Sequence, residues 1–336
     1  MDSLEKTSAV GHLNGNQSFN ETNMTMAVME PCTVCLVETP VYLVVLAFIL
    51  TILPFVGAAK DLTLVVRFVV ANILIANFIA GLGVLLIVLA RIIVTRVHQL
   101  LLTDGPCRFL FALVSVGGII RPVMMATFAV VVCIIIMKSI SAVKFKFLSI
   151  YLLVMWLVCV VFSSAVFFPS IVRVLTLEGR SCILRPGLYG LVYTVPFFLC
   201  CLFIPFALTV AVLIVTFWFV RFNTLRDNKA RLRPLLKFSA FLLLGNFLSA
   251  MGQAGPVINA HINADSETAE VLLVLNQANG LLILLSIIPT PILVLVYFKP
   301  VRFLMKQCFL HVFAKLCKRR LGITTQQYLG DRMMLS

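Results

Sequence analysis

Charged residues are scarce in this sequence. Asp, Glu, Lys and Arg make up 12% of its 336 residues, about half of the roughly 25% that a soluble domain carries. So few charges cannot cover a surface that faces water, and the composition therefore excludes an ordinary soluble protein. Hydrophobic residues make up 61% of the chain, which predicts an integral membrane protein because lipid is the solvent that accepts an apolar exterior.

Motifs for catalysis and for metal or cofactor binding are also missing. The four histidines lie far apart in predicted tails or loops, at positions 12, 98, 261 and 311. The chain has no His-Glu-x-x-His zinc motif, no Gly-x-Ser-x-Gly nucleophile motif and no phosphate-binding P-loop. We therefore expect no metal, no cofactor and no enzymatic activity.

Seven hydrophobic stretches reach the length of about 20 residues that a membrane-spanning helix needs. They are predicted at Val41–Ala59, Phe68–Val94, Phe109–Met137, Leu148–Val172, Leu188–Val220, Leu235–Val257 and Val271–Phe298. The sequence thus predicts an all-α membrane protein, with a seven-transmembrane helix bundle at residues 41–298 and an outer tail at residues 1–40. Because seven is odd, the two termini lie on opposite sides of the membrane.

Two features predict that the N-terminus is extracellular in a plasma-membrane protein. The tail carries three N-glycosylation sequons, at Asn16, Asn20 and Asn23. Nineteen of the 27 Lys and Arg residues fall on the opposite side, against seven outside and Arg121 within the membrane, as the positive-inside rule requires. The net charge of +14 therefore reflects topology, and without basic stretches interleaved with aromatics no nucleic-acid partner is expected.

The predicted spans contain no Asp or Glu, and the seventh contains no Lys. An intramembrane aspartyl protease needs two aspartates in the bilayer, and a proton-coupled transporter usually needs an acid there. A retinal-binding opsin or pump needs a lysine in the seventh span for its Schiff base. The sequence indicates none of these classes.

Two of the ten cysteines are expected to form a disulfide. Cys107 begins the third span and Cys182 lies in the outer loop before the fifth span, so that both face an oxidising space. A bridge between them would tie this loop to the top of the third helix.

Residues 299–317 are predicted to form an amphipathic interfacial helix, followed by a cytoplasmic tail at residues 318–336. Apolar residues recur there at helical spacing from Val301 to Leu316, and basic residues lie off that stripe. A basic face suits the anionic lipid of the inner leaflet, so membrane lipid is an expected partner. Cys308 and Cys317 are candidates for palmitoylation.

Several residues match the motifs of a known membrane-protein family. The motifs are those of the rhodopsin-like (class A) G-protein-coupled receptors. Their second-span aspartate corresponds to Asn77 in Leu74-Ile75-Ala76-Asn77, and their fourth-span tryptophan corresponds to Trp156. Their fifth-span proline corresponds to Pro205, and their seventh-span Asn-Pro pair corresponds to Thr290-Pro291. The chain resembles a divergent member of that family over roughly residues 41–317, and its departures from the family motifs resemble those of chemosensory subfamilies. The resemblance implies a receptor that binds an extracellular ligand and signals to a heterotrimeric G protein.

Other positions depart from the family pattern. Counted from Cys107, the family's Asp-Arg-Tyr falls on Val131-Val132-Cys133, which carries no charge, and Val294 replaces the tyrosine of the seventh-span motif. The sixth span reads Gly245-Asn246-Phe247-Leu248 in the neighbourhood of the family's Cys-Trp-x-Pro. Two alternatives to a signalling receptor therefore remain. One is a channel or transporter that uses Arg121 as an anion site, and the other is a receptor-fold protein that does not couple to G proteins.

Arg121 is the most informative residue of the sequence. It lies fourteen residues after Cys107, about 21 Å along a helix and hence near mid-membrane. Such an arginine should face the bundle interior and have partners. Candidate partners are backbone carbonyls and the side chains of Asn77, Asn276, Gln277, Asn279 and Ser286. Three roles stay open: structural support, part of a conformational switch, or contact with an anionic ligand.

The family resemblance suggests a specific form of the switch. Arg121 matches a serine that helps many of these receptors hold a sodium ion beside the second-span aspartate, which is Asn77 here. We hypothesise that the guanidinium takes the place of the ion. The switch core would comprise Asn77, Arg121, Ser286, Thr290 and Pro291.

The expected ligand site lies between the outer halves of helices three, five, six and seven, under the Cys182 loop. Its candidate residues are Arg121, Asn246, Gln253, Asn276 and Gln277. Each of these polar residues is equally well explained by hydrogen bonds between helices.

Overall fold

The computed structural model describes residues 33–96, 104–137, 143–168, 172–177, 181–186, 198–222, 229–261, 278 and 280–321. The predicted glycosylation sites Asn16, Asn20 and Asn23 lie outside the described residues, as do Asn276 and Gln277.

Eight helices follow one another along the described chain. They are α1 at Thr33–Ala58, α2 at Leu64–Arg96, α3 at Asp104–Met137, α4 at Phe145–Ser163, α5 at Ile204–Phe222, α6 at Lys229–His261, α7 at Gly280–Tyr297 and α8 at Lys299–Leu321. Each of the first seven contains a segment long and apolar enough to cross a membrane. The predicted seven-helix membrane bundle is therefore confirmed, and so is a further helix at its C-terminal end.

The fourth span ends earlier than the sequence predicted. α4 stops at Ser163 and continues as a 3-10 turn, Ser164–Phe167. Val172, the predicted end of the span, instead begins strand β1 at Val172–Leu177, which pairs in antiparallel fashion with strand β2 at Ser181–Pro186. The β1 sequence Val-Arg-Val-Leu-Thr-Leu is rich in β-branched residues, and these favour strands. Hydropathy alone does not separate such a strand from the end of a helix.

The N-terminal end of α3 is bonded to neighbouring parts of the chain. The Nε of Arg108 donates to the Asp104 carboxylate at 2.9 Å, and its Nη1 donates to the Val166 carbonyl at 2.6 Å in the turn after α4. Cys107 is buried and disulfide-bonded. The side chain of Cys182 lies outside the described part of the chain, so its pairing with Cys107 stays a prediction.

α3 lies at the centre of the bundle. Within an 18-residue apolar stretch of each helix, 78% of the residues of α3 are buried, against 22% in α4 and 17% in α5. α3 contacts α2, α4, α5 and α6. The outer faces of α4 and α5 carry exposed apolar side chains, as expected of helices that face lipid.

Small residues bring α2 and α3 together at backbone distance. A Cβ added at Gly117 of α3 would lie 2.5 Å from both the nitrogen and the Cα of Ala80 in α2. A Cβ at Gly83 would lie 2.8 Å from a side-chain carbon of Val114. The absence of a side chain at Gly117 therefore lets the α2 backbone come close. Such small-residue contacts are a common way to pack helices in lipid, where apolar side chains gain little by leaving the solvent.

α8 packs on the bundle by its first turns. Val301 is fully buried, Leu304 and Met305 are half-buried, and α8 contacts α1. Further along the predicted apolar stripe, Phe309 and Phe313 are exposed. The stripe therefore extends beyond the part of the bundle that covers it, which suits a helix lying at a membrane interface.

Candidate functional site

Arg121 is buried inside the bundle and is bound to α7. Only 1% of its surface is exposed. Its Nη1 donates to the Ser286 hydroxyl at 2.5 Å, and its Nη2 donates to the Ser286 backbone carbonyl. The expectation that this arginine faces the interior and has partners is confirmed. The two bonds hold the guanidinium plane against one residue of α7.

Ser286 is oriented by its own helix. Its hydroxyl donates to the Ile283 carbonyl at 2.5 Å and so turns its oxygen lone pairs towards the guanidinium. Two residues later, at Ile288, the regular helix is interrupted, and it resumes at Pro289. Pro289 and Pro291 have no N–H, so the carbonyls of Leu285 and Ile287 lose their usual helical donors. The arginine thus meets α7 beside its most irregular turn.

Gly245 brings the backbone of α6 close to Arg121 and Ser286. A Cβ added at Gly245 would lie 3.4 Å from the Ser286 carbonyl oxygen and 3.7 Å from Nη2 of Arg121. The absence of a side chain at Gly245 therefore lets the α6 backbone approach the hydrogen-bonded pair. α3, α6 and α7 meet at these three residues, which we call the arginine node.

Asn77 does not bond to the arginine. It is fully buried in α2, and its side-chain amide donates to the Ile73 carbonyl of its own helix at 3.0 Å. The Asn77 Oδ1 and the Arg121 Nε both lack a hydrogen-bond partner among the described residues. The hypothesis that the guanidinium takes the place of a sodium ion placed Asn77 beside it, whereas the hydrogen bonds of Arg121 run to α7.

Of the remaining predicted site residues, three are described with their side chains and three are not. Thr290 and Pro291 are buried in α7, one turn beyond Ser286. Asn246 is 1% exposed in α6, and neither its Oδ1 nor its Nδ2 has a partner in the described part of the chain. Gln253 also lies on α6, but its side chain is outside the described residues, as are Asn276 and Gln277. The outer ligand site therefore stays a prediction.

A chain of three aromatic rings joins the same helices further along α3. The rings of Phe128 in α3 and Phe238 in α6 meet edge to face with centroids 5.1 Å apart. Phe238 meets Phe298, between α7 and α8, in the same way at 5.0 Å. Phe128 and Phe238 are fully buried, and Phe298 is 2% exposed. We call these three residues the aromatic chain.

The spacing of residues in the sequence contains a signal for the aromatic chain, although sequence analysis did not predict these contacts. Phe128 lies seven residues after Arg121, and Phe238 lies seven residues before Gly245. Because α3 and α6 run in opposite directions, two equal offsets of two turns place the phenylalanines opposite each other once Arg121 and Gly245 are paired. Pairing those two residues required knowledge of the tertiary contact.

Two further links between helices were also missed. Trp156 in α4 donates its indole N–H to Asn72 Oδ1 in α2 at 3.0 Å. The buried Tyr42 of α1 donates its hydroxyl to the Gly280 carbonyl in α7 at 3.0 Å. Each bond satisfies a polar group for which lipid offers no partner.

The C-terminal part of α3 carries apolar residues at the positions where the resemblance aligned the motif Asp-Arg-Tyr. Val131 and Val132 are 3% and 1% exposed, and the half-buried Cys133 has its sulfur 3.3 Å from the sulfur of Met137. Packed valines therefore occupy this position in α3.

Arg121 and Ser286, on α3 and α7, come together with the Gly245 backbone of α6, and the aromatic chain joins the same elements two turns away. No protein-family model matches the sequence, and no curated protein matches it.

Proposed function

We propose that this multi-pass helical membrane protein is a receptor that binds an extracellular ligand and transmits a rearrangement of α6 and α7 to the cytoplasmic side. Ligand binding would favour one packing of these helices against α3, and the receptor would respond by shifting the population between two packings. The predicted topology, with the N-terminus outside, places the aromatic chain in the cytoplasmic half of the membrane.

The arginine node is the observation that supports this proposal. A charged residue near the membrane centre costs about 2.5 to 3.5 kcal/mol on insertion scales, so a purely apolar contact would be the cheaper way to hold three helices together. The guanidinium bonds to both a side chain and a backbone atom of α7. A shift of α7 must break or re-form these bonds, and that makes the contact suitable for two discrete states.

The aromatic chain provides the second part of the path. Phe128 lies about 10 Å along α3 from Arg121, at 1.5 Å per residue over seven residues. Its contact with Phe238, and that of Phe238 with Phe298, connect α3 to α6 and then to the start of α8. A rotation of α6 at the arginine node would therefore displace Phe298 on the cytoplasmic side.

Coupling to a heterotrimeric G protein is the first candidate for the output. A second candidate is a receptor-fold protein with another cytoplasmic partner. In the receptor family, charged residues at this place hold the inner helix ends in their on and off arrangements. The buried Val131 and Val132 carry no charge and therefore favour the second candidate.

Nucleotide exchange separates these two outputs. Purified protein would be reconstituted with G proteins of each major class, and GTP uptake would be measured with and without a panel of candidate ligands. A receptor that couples accelerates exchange on one class, and Phe238→Ala should alter that rate while the exposed Phe241→Ala should not. Lack of exchange on every class, with ligand-dependent change at α6 still detectable by a fluorescent probe, would favour the second candidate.

Electrical recording tests the competing idea of an anion channel or transporter. Voltage clamp of cells that express the protein should show no anion current that depends on Arg121. An anion current that disappears in Arg121→Met would overturn the receptor proposal in favour of a channel or transporter.

Epitope accessibility tests the membrane orientation on which the proposed receptor function depends. A tag ahead of Val41 should be reachable by antibody on intact cells, and a tag after Ser336 should be reachable only after permeabilisation. Access to both tags on intact cells would overturn the proposed topology.

A further inference from the structure

A groove of about 670 Å³ opens on the outer surface of the bundle between α3, α4 and α5. Its floor is formed by α3 residues, including Val123, Ala126 and Val130. Its rim includes Phe147 and Ile204, which are 67% and 54% exposed. Exposed apolar residues of membrane-spanning helices face lipid, so the groove opens towards the bilayer and away from the bundle interior.

The groove spans one leaflet. Along α3 its lining runs from Val123 to Ile134, and on the opposite wall it runs from Lys144, directly before α4, to Met155 in α4. Each run covers twelve residues, and the eleven steps between its ends give on the order of 16 Å of helix rise. Half of a hydrocarbon core of about 30 Å is about 15 Å. The Val123 end also lies two residues from Arg121, which counting from Cys107 places near mid-membrane, so the groove runs from the membrane centre to its surface.

A single positive charge marks the surface end. Lys144 is the one charged residue among those that line the groove in the described part of the chain, and it is exposed. Its ammonium lies 5.9 Å from the ring centroid of Phe147 on the rim. Beyond Asp104 the described residues include no Asp or Glu, so no described carboxylate on α4 or α5 neutralises this lysine.

We propose that this groove binds an acidic phospholipid, with the headgroup at Lys144 and one acyl chain lying along α3 over Ala126 and Val130. Apolar walls of one-leaflet length match an acyl chain, and the ammonium at the surface end matches an anionic headgroup. The site is separate from the arginine node, and its occupancy does not depend on whether the protein signals.

Photo-crosslinking of the full-length protein tests the site. The protein would be placed in phosphatidylcholine nanodiscs with a trace of phosphatidylserine that carries a photoreactive group at the end of one acyl chain. We expect crosslinks to α3 near Val123 and to α4 near Met155. Unlabelled phosphatidylserine should compete for them better than unlabelled phosphatidylcholine does.

Two matched pairs of variants separate the headgroup from the chain. Lys144→Gln should weaken phosphatidylserine binding about five-fold, the effect of one basic residue near an anionic headgroup. Lys146→Gln, two residues away and outside the groove lining, should change it less than two-fold. Ala126→Phe should abolish the crosslinks by filling the floor, whereas Leu153→Phe, exposed on α4 outside the groove, should leave them intact.

Three results would overturn the proposal. Equal losses in Lys144→Gln and Lys146→Gln would indicate a diffuse basic surface. Equal competition by phosphatidylcholine would exclude headgroup recognition, and competition by cholesterol but not by phosphatidylserine would identify a sterol groove. Thermal unfolding checks that each variant is folded, and Val130→Phe replaces Ala126→Phe if the latter does not fold.

Discussion

The two sides of α3 meet their neighbours in opposite ways. Towards α2, Gly117 and Ala80 lie so close that a single added carbon would overlap a backbone. Towards α4 and α5, the same helix borders an open groove of about 670 Å³. The neighbouring helices differ in the same way: within an 18-residue apolar stretch of each, 56% of the residues of α2 are buried, against 22% in α4 and 17% in α5.

This difference indicates which parts of the bundle can move. A contact between backbones has no side chains that could adopt new rotamers, so α2 and α3 should behave as one rigid pair. α6 and α7 meet that pair at the arginine node through two hydrogen bonds and a glycine, a contact that can break and re-form as α7 shifts. The rigid pair supplies the frame against which a movement of α6 or α7 has a defined effect.

Gly117→Val should have the largest effect. The new side chain would overlap the Ala80 backbone, which cannot withdraw without separating α2 from α3 along their length. We expect almost no folded protein, measured as cell-surface expression and as monodisperse material after extraction in detergent.

Gly57→Ala is the matched control for that variant. A Cβ at Gly57 meets no atom within 4 Å, and the Gly57 carbonyl still accepts from the Arg67 guanidinium at 3.0 Å. Expression should stay near that of the unchanged protein. Normal folding of Gly117→Val would show that the close contact between α2 and α3 is not needed.

Phe238→Ala tests the face of α3 that meets α6. Removal of a fully buried ring that contacts Phe128 and Phe298 should lower the free energy of unfolding by about 3 kcal/mol, as for other buried Phe→Ala changes. Phe241 is 47% exposed and only stacks on Tyr297, with centroids 6.0 Å apart, so Phe241→Ala should cost about 1 kcal/mol or less. Equal costs would mean that the aromatic chain is not a preferred contact.

A double-mutant cycle tests the arginine node. The free energies of unfolding of Arg121→Met, Ser286→Ala and the double variant should give a coupling energy of about 1 kcal/mol, within the range found for hydrogen bonds between membrane helices. The backbone bond to Ser286 survives in Ser286→Ala, which keeps the coupling modest. The same cycle with Asn77→Ala should be additive, because Asn77 bonds to Ile73 and not to Arg121. Coupling to Asn77 alone would restore the sodium-site hypothesis.

The seven helices could be predicted from the sequence because hydropathy over a span reports directly on lipid exposure. The burial of Arg121 followed from the same reasoning, since a charge in lipid must turn inward. Its partner did not follow, because Asn77 and Ser286 are equally polar and the choice between them depends on how α2 and α7 are rotated. Rotation is set by contacts such as that of Gly117 with Ala80, which no periodicity reveals.

The β1–β2 pair and the groove could not be predicted for a different reason. Hydropathy places Val172 in the fourth span because β-branched residues raise hydropathy in strands as much as in helices. The groove between α3, α4 and α5 depends on the space that side chains leave unfilled, and residues such as Ala126 read as ordinary small apolar residues. Composition predicts which surfaces avoid water, but the shape of those surfaces depends on packing.

Ala126→Phe should have the smallest effect on stability and makes the sharpest contrast with Gly117→Val. Both changes enlarge a small residue of α3, nine positions apart, but Ala126 borders the groove, where a new ring finds space. Overpacking of a filled core typically costs 1 to 3 kcal/mol, whereas filling a cavity is often neutral or stabilising. We therefore expect a change in the free energy of unfolding of less than about 1 kcal/mol, measured by thermal or denaturant unfolding in the same lipid. A loss as severe as that of Gly117→Val would mean that α4 and α5 close over α3 in the membrane, and the two sides of α3 would then be equally rigid.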